Sequence, residues 1–315
     1  MKIKQALIRD LYVKSAYKKL LIALVWVFCV SSIFASSEKI GTTAMDFMKL
    51  ESSVKGEALG NAITAGSEIS AIGVNPASIA RIERTEFNMQ YLYYYQDISY
   101  KSLRVAVPTE LGSFGFSAGL IDLGIQERTT FLDRDGSSSD TFRNHGYQLI
   151  GAYAHNFGDI DAGISFRYLS ETLDSNSGKA VGLDLGLQAI LSDDLTLGVA
   201  WNGMTLSKAK YIEEDAELAE SVRIGLRYMA GVVDKNLAFN FDLVSPEDGD
   251  IYYGVGVEYL VNSMLYLRGG YSSYSELSDV SLGVGLVLGD ILIDFTYKPS
   301  KLFGQSYRVG FGMKL

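Results

Sequence analysis

The chain has 315 residues, of which 48% are hydrophobic and 21% charged, and its formal net charge at pH 7 is −9. This composition excludes an intrinsically disordered chain. The acidic balance argues against a nucleic-acid partner, because affinity for nucleic acid comes mostly from cations that contact phosphates. Glycine (32 residues), tyrosine (20) and phenylalanine (15) are abundant, and because aromatic residues are enriched in strands, this favours β-structure.

Residues 1–37 have the pattern of a cleaved secretory signal peptide. Lys18 and Lys19 precede the apolar run LLIALVWVFCV, and small residues follow that run as far as Ser37. A basic start, an apolar core of 7 to 15 residues and a small-residue cleavage zone are typical of such signals. The run is shorter than the roughly 20 residues that a membrane-spanning helix needs. We therefore expect an exported protein, and cleavage after Ala35 or after Ser37 fits the pattern.

The only cysteine, Cys29, lies inside this apolar run. Bulky residues precede it where a lipidated cysteine would need small ones, so we expect Cys29 to be removed with the signal peptide. The mature chain then has no cysteine and therefore no disulfide and no metal–thiolate site. Its formal net charge becomes about −14, because the signal peptide contains six basic residues and one acidic residue.

Residues 38–84 do not follow the alternation of a β-strand. Phe47, Leu50 and Val54 have helical spacing, glycines interrupt the segment, and an Asn75-Pro76-Ala77 motif follows. The residue before a proline is disfavoured in a helix, whereas proline suits the first helical position, so a short helix is predicted to begin at Pro76. A segment of this length can barely form a core alone. We expect it to pack against the rest of the chain.

Residues 85–315 contain fourteen strand-like runs. In ESVRIGLRY, residues 220–228, apolar residues alternate with glycine or arginine, which is the period of a strand rather than of a helix. The connections alternate between tight turns and longer polar loops such as residues 125–141 and 205–219, and the last run alternates up to Leu315. These features predict an all-β fold, a transmembrane antiparallel β-barrel of fourteen strands.

A soluble β-sandwich is the alternative, because its strands also alternate. Its outer face would be polar and its inner face apolar. In this chain the apolar face carries tyrosine, phenylalanine and Trp201 near the strand ends, as the aromatic belts of membrane proteins do. The opposite face consists of glycine, arginine and carboxylates, which suits a polar lumen. The membrane barrel is therefore favoured.

The N-terminal segment and the barrel together resemble the FadL family of outer-membrane transporters of hydrophobic molecules. The stretch GEALGNAITAGSEISAIGVNPASIARIERTEF, residues 56–87, is similar to the PorV/PorQ-like branch and to the FadL-like barrels of spirochetes. Asn75, Pro76 and Ala77 are the one local motif that carries the resemblance. No ligand-contacting residues of the family can be transferred to this chain one by one.

The resemblance implies that residues 38–84 form a hatch that fills the periplasmic half of the lumen of a barrel at residues 85–315. It further implies an outer-membrane location in a diderm bacterium, with lipid around the barrel. The implied activity is the uptake of hydrophobic molecules such as long-chain fatty acids, gated by a conformational change in the hatch.

The alternation places ten charged residues on the inner face of the predicted barrel. Buried charges persist only when they are paired or hydrated, so we expect ion pairs that brace the wall and the hatch. The alternative is a polar path, or a cluster that binds the carboxylate of a fatty acid, because arginine suits that geometry. The ten residues are Arg104, Arg167, Asp184, Arg223, Arg227, Asp242, Glu258, Arg268, Asp294 and Arg308.

The chain shows no catalytic constellation. His145 and His155 lack the partners of a metal site, and the Ser-x-x-Lys spacing of Ser52 and Lys55 lacks the companion motifs of a serine acyl enzyme. The DRDG sequence at residues 133–136 lacks the ligand pattern of a calcium loop. We expect no enzymatic activity, no cofactor and no metal ion.

Two functions remain in consideration. The first is a hydrophobic uptake channel gated by the hatch. The second is a PorV-like secretion or assembly component, or an outer-membrane anchor, that binds protein partners through extracellular loops at residues 125–141 and 205–219.

Overall fold

The computed structural model describes residues 41–50, 53–95, 97–136, 140–230, 236–274, 280–300 and 304–315. The expected signal peptide, residues 1–37, and its Cys29 lie outside these ranges. No helix within the described ranges is both long enough and apolar enough to cross a membrane.

The strands form one closed antiparallel barrel of fourteen strands, which confirms the predicted fold class. Each strand pairs with its neighbours in sequence, except that β8 and β9 form a separate two-residue hairpin in the connection between β7 and β10. The bounds are β1 Glu86–Tyr93, β2 Ser99–Thr109, β3 Gly112–Glu127, β4 Thr141–Asn156, β5 Ile160–Leu173, β6 Asn176–Ser192, β7 Leu195–Ser207, β8 Ala209–Lys210, β9 Asp215–Ala216, β10 Ser221–Ala230, β11 Leu237–Pro246, β12 Tyr252–Val261, β13 Leu265–Ser272, β14 Val280–Leu288, β15 Ile291–Pro299 and β16 Gln305–Lys314.

The first and last strands close the barrel. β1 pairs with β16 along its whole length, from Glu86 opposite Lys314 to Tyr93 opposite Tyr307. The N–H of Leu315 extends this ladder by donating to the carbonyl of Thr85 at 2.8 Å. A barrel surrounded by lipid must pair every strand edge, because lipid cannot satisfy backbone hydrogen bonds. The pairing of β1 with β16 along its whole length therefore closes the barrel.

The barrel has two different ends. The turn end carries tight connections, such as residues 157–159 and 289–290, and the loop end carries residues 128–136 and 208–220. One connection at the loop end differs from the expected length pattern: β5 and β6 are joined by only two residues, and Asp174 adopts a φ of 55° there.

Strands β3 to β7 have 13 to 17 residues, whereas the other barrel strands have 8 to 11. The wall is therefore taller on one side.

The outer face of the barrel is apolar. On β11, Phe239, Phe241 and Leu243 are exposed on the outside, and they alternate with the buried Asn240 and Asp242 inside. Successive side chains of a strand point to opposite faces, so this pattern inverts that of a soluble domain and suits a lipid environment.

The hatch lies inside the barrel. Its described residues contain short 3₁₀-helices at Asp46–Leu50, Ile69–Ala71 and Pro76–Ile79, and one short α-helix, α1, at Val54–Ala58. The resemblance implied a hatch in one half of the lumen, but the described residues extend through both halves. Ala44 pairs with Leu218 at the loop end, whereas Arg84 forms an ion pair with Asp290 at the turn end.

Glycines on the inner face allow the hatch backbone to touch the wall. A Cβ at Gly163 would fall on the backbone of Pro76 and Ala77, and one at Gly270 would fall on the backbone of Leu59 and Gly60. The inward glycines of the wall are therefore explained by close approach of another backbone. A larger side chain at these positions would displace the hatch backbone from its contact with the wall.

We predict that Gly163→Ala destabilises the folded barrel. Overpacking of a well-packed site costs about 1–3 kcal/mol, so the temperature at which the folded, heat-modifiable form disappears on a gel should fall. Gly151→Ala is the matched control, because a Cβ at that outward glycine of β4 would have no atom within 4 Å. Equal unfolding temperatures for the two variants would contradict the prediction.

Candidate functional site

The Asn75-Pro76-Ala77 motif forms a buried corner of the hatch. The Asn75 side chain accepts a hydrogen bond from the N–H of Ala77 at 3.0 Å, which caps the short helix that starts at Pro76. Its amide donates to the carbonyl oxygen of Thr64 at 2.7 Å and to that of Leu187 on β6 at 3.3 Å. One asparagine therefore links two turns of the hatch to the wall. Asn75 therefore positions the hatch against the wall.

All ten predicted inner-face charges lie in the interior of the barrel. Nine of them are buried, and the side chain of Arg227 is 20% exposed. Eight pair among themselves, Arg308 pairs with Glu57 of the hatch, and Arg104 donates to Asn88 at 3.3 Å. The pairs within the group of eight are Arg167–Asp184, Arg223–Asp242, Arg227–Glu258, Arg268–Glu258 and Arg268–Asp294.

Arg167 joins three strands to the hatch. Its guanidinium contacts Asp184 of β6 at 2.9 Å and Gln148 of β4 at 3.0 Å. It also donates to the carbonyl oxygen of Gly73 in the hatch at 3.1 Å. Asp184 accepts a further hydrogen bond from the N–H of Gly203 at 2.8 Å. Buried charges are tolerated when paired and hydrogen-bonded in this way.

Arg223 and Asp242 clamp the middle of the hatch. The two side chains form an ion pair at 3.0 Å. Asp242 accepts from the N–H groups of Ile63 and Thr64 at 3.2 and 3.1 Å, and from the Thr64 hydroxyl at 2.6 Å. Arg223 donates to the carbonyl oxygen of Asn61 at 2.8 Å. The clamp satisfies hatch backbone groups that have no helical partner.

A third network connects α1 to the wall. Glu258 lies 3.1 Å from Arg227 and 2.8 Å from Arg268, and Arg268 also pairs with Asp294. Lys55 of α1 approaches Glu258 to 3.3 Å. The carboxylate of Glu258 is therefore shared by three cations from two strands and the hatch.

The sequence pattern did not reveal the hatch side of these networks. Lys55 stood out only as part of a Ser-x-x-Lys spacing, and nothing distinguished Glu57 and Thr64. The hatch has no strand alternation that would indicate which of its side chains point to the wall. The one signal in the sequence is that Lys55 and Glu57 lie close together in an otherwise mostly apolar and glycine-rich stretch.

The loop end of the lumen contains a buried apolar cluster, called the apolar chamber below. Side chains of β1, β2, β3, β5 and β6 and of the connection between β7 and β10 form its wall, and Met45, Phe47 and Met48 of the hatch fill it. Phe47 packs on Gly146 of β4, and Met48 packs on Gly203 of β7. The buried residues of the chamber are Ala44, Met45, Phe47, Met48, Leu92, Tyr100, Ile121, Leu169, Ala180, Ala209, Leu218 and Ala219.

Two cavities adjoin the hatch. One of about 100 Å³ lies beside the apolar chamber and is lined by Arg167, Arg223 and Asn202 among others. One of about 320 Å³ lies at the turn end, between the hatch and β1 and β13 to β16. The described residues include no group of histidines, cysteines or carboxylates that could hold a metal ion.

Asp248, in the connection between β11 and β12, anchors the start of the hatch. It accepts hydrogen bonds from Lys49 at 2.6 Å and from Thr43 at 2.7 Å. Burial by itself raises the pKa of Asp248, but the hydrogen bonds from Lys49 and Thr43 outweigh it, and the pKa lies below its ordinary value. Burial by itself lowers the pKa of Lys49, but its carboxylate partners raise that pKa above the ordinary value.

The first prediction for this site concerns the clamp. Asp242→Ala leaves Arg223 buried without its carboxylate, and breaking a buried pair costs about 3–5 kcal/mol. Asp290→Ala is the control, because its pair with Arg84 is about half exposed and exposed pairs contribute about 0–1 kcal/mol. Denaturant titration of the folded barrel should show a much larger loss for Asp242→Ala. Similar losses would contradict the role of the clamp.

The second prediction concerns pH. A carboxyl whose pKa is lowered on folding stabilises the fold above its unfolded pKa and loses that effect as pH falls through its folded pKa. Asp248→Asn should therefore lower the unfolding temperature at pH 7, and its difference from the native chain should shrink as pH falls below about 4, the ordinary pKa of aspartate, and vanish below the lower folded pKa. A difference that is the same at pH 3 and pH 7 would contradict this account.

Comparison with known proteins shows which barrel fold this is. No family model and no curated protein matches the chain. Among solved structures, the CymD monoaromatic hydrocarbon channel matches with a TM-score of 0.60 and 12% identity, over 84% of this chain and 97% of that one. The Pseudomonas putida toluene transporter TodX matches with a TM-score of 0.58 and 12% identity, over 82% and 96%. A Pseudomonas aeruginosa FadL homologue matches with a TM-score of 0.54 and 13% identity, over 84% and 98%. The chain therefore shares the barrel fold of FadL-like channels.

Proposed function

We propose that this protein is an outer-membrane channel for hydrophobic small molecules and that the hatch is its gate. The observation that carries the proposal is the apolar chamber, whose twelve buried residues make it the largest of the apolar clusters among the described residues. The fold supports it, because the solved structures of similar fold include a monoaromatic hydrocarbon channel and a toluene transporter. Long-chain fatty acids remain a second ligand class to be tested.

The outer-membrane location rests on the exterior of the barrel. Apolar side chains alternate with buried polar ones around the wall, and aromatic pairs lie near both ends. Tyr93 and Tyr307 stack at the loop end with ring centroids 5.0 Å apart, and Phe114 and Tyr153 lie 5.2 Å apart at the turn end. Aromatic belts of this kind mark the two interfaces of a bilayer. Export by residues 1–37 is part of the proposal.

Gating follows from what fills the chamber. Met45, Phe47 and Met48 occupy the space that an apolar ligand would use, so ligand and hatch side chains exclude each other. The later hatch residues are bound to the wall by the Asn75 corner and the Arg223–Asp242 clamp. Residues 44–50 are held by a backbone bridge at Ala44, by the partly exposed Lys49–Asp248 pair and by apolar side chains. We propose that residues 44–50 move first.

The function is tested by uptake of labelled toluene, and in parallel of a labelled long-chain fatty acid, into diderm cells with and without this protein. Faster uptake of either compound supports the channel, and the faster of the two identifies the ligand class. Unchanged uptake of both would contradict it. If a secreted protein copurifies with the barrel in that case, the PorV-like hypothesis gains support, and the exposed Phe131 and Leu132 (85% and 95%) offer an apolar surface for it.

We predict that a disulfide at the loop end blocks uptake. In a Cys29→Ser background, Ala44→Cys with Leu218→Cys joins two bridge partners and fixes residues 44–50. The control, Val54→Cys with Gly310→Cys, joins positions whose Cβ atoms lie 3.6 Å apart, within the 3.5–4.5 Å range of disulfides. Oxidation of the first pair should abolish uptake, and reduction should restore it.

The control pair discriminates between two kinds of gate. If oxidised Val54→Cys/Gly310→Cys still transports, movement is confined to the start of the hatch. If this pair also blocks uptake, the hatch moves as a unit. Full uptake with both pairs oxidised would contradict hatch gating while leaving the channel function intact.

A further inference from the structure

The 320 Å³ cavity at the turn end is separate from the apolar chamber. Its hatch side is formed by residues 54–55 and 67–70, and its wall side by the inner faces of β1 and β13 to β16. Ligand pockets in proteins usually measure about 300–1,000 Å³. The cavity therefore has the size of a site for a small molecule at the opposite end of the barrel.

Part of the cavity wall is apolar. Tyr266 lies two residues before the inward Arg268, and Leu292 lies two residues before the inward Asp294, so both share the inner face. Val287 of β14 lies beside them, and Ile69 of the hatch lines the opposite side. These four side chains provide a surface for the apolar body of a ligand.

Two residues that line the cavity, Glu68 and Ser70, have a polar atom without a partner. Glu68 uses Oε2 to pair with Lys55 at 3.1 Å. Among the described residues, neither Glu68 Oε1 nor the hydroxyl of Ser70 has a hydrogen-bond partner, although both atoms are buried. Buried polar atoms are nearly always hydrogen-bonded. An ionised carboxylate oxygen can only accept hydrogen bonds, so its natural partner is a group that donates one.

Charge around the cavity disfavours an anionic ligand. Four carboxylates line it: Glu68, Glu86, Asp290 and Asp294. The three cations of the lining already have carboxylate partners: Lys55 pairs with Glu68 and Glu258, Arg268 with Glu258 and Asp294, and Lys314 with Glu86. An anionic head group would have to compete for these cations and would face the carboxylates.

We propose that this cavity binds a small neutral amphiphile with an apolar body and a hydroxyl head group, of the size of a single-ring phenol or a short alcohol. The hydroxyl donates to Glu68 Oε1 and accepts from Ser70, and the body packs on Tyr266, Val287 and Leu292. The site is reached from the turn end and does not depend on transport through the apolar chamber.

The test uses p-cresol as the probe and the full-length mature protein in lipid nanodiscs, with binding measured by calorimetry. Toluene lacks the donor and p-toluate replaces it with a carboxylate, so the three compounds differ only in the head group. A hydrogen bond to a charged acceptor is expected to make p-cresol bind about tenfold tighter than toluene. Binding of p-toluate as tight as that of p-cresol would overturn the proposal.

The variant Gly312→Leu tests whether p-cresol binds in this cavity or elsewhere. Gly312 lines the cavity, and a Cβ there would make only ordinary contacts, the nearest at 3.6 Å with Leu292. The larger side chain should fill the cavity and abolish binding. Gly151→Leu on the outer face is the matched control and should leave binding unchanged. Undiminished p-cresol binding in a folded, heat-modifiable Gly312→Leu protein would overturn the proposal.

Glu68→Gln tests the head group without changing the size of the cavity, and it serves if Gly312→Leu does not fold. Loss of the charged acceptor should weaken p-cresol binding about tenfold. It should also reduce the difference in affinity between p-cresol and p-toluate. Lys55 keeps Glu258 as a partner at 3.3 Å in this variant. Unchanged affinities for both compounds would show that Glu68 does not contact the ligand.

Discussion

The complete backbone pairing of the wall is the constraint on which the rest of the structure depends. Fourteen strands pair in a ring, and β1 meets β16 over its whole length. This closure leaves no edge toward lipid and lets the outer face be apolar. The inner face must then carry the polar side chains, and a lumen of this width needs something to satisfy them. Wall side chains pair with one another, and the hatch supplies further partners.

Hatch and wall are complementary at the level of single atoms. Wall arginines and aspartates bind hatch backbone groups, as Arg167 does with Gly73 and Asp242 with Ile63 and Thr64. Inward glycines let the two backbones touch. Five of the ten inner-face charges contact the hatch directly, namely Arg167, Arg223, Asp242, Glu258 and Arg308. Nine of the ten are too buried to line an open water path in this conformation.

The two ends of the lumen differ in chemistry. At the loop end, apolar hatch side chains fill an apolar chamber, and the tie to the wall through Lys49 and Asp248 is a partly exposed ion pair. At the turn end, a cavity remains beside the Glu68–Lys55 pair. A molecule that moves through this barrel would meet an apolar site first and a site with carboxylate acceptors last, with the clamped middle of the hatch between them.

The sequence by itself determined the wall. Period-2 alternation fixes which side chains face lipid, the fourteen runs set the strand number, and the alternating connections predict the two ends, because all of these depend on local geometry. It also predicted that Arg223, Asp242 and the other eight charges share the inner face. Only the tertiary structure decided the hatch partners of these charges, which are Lys55, Glu57 and Thr64. These partners lie far away in the chain, in a segment without strand periodicity. Glu57 and Arg308, for example, are 251 residues apart. The length of the hatch along the lumen, the two-residue connection at Asp174 and the cavity beside Glu68 arise in the same way, from packing between segments that are distant in the chain.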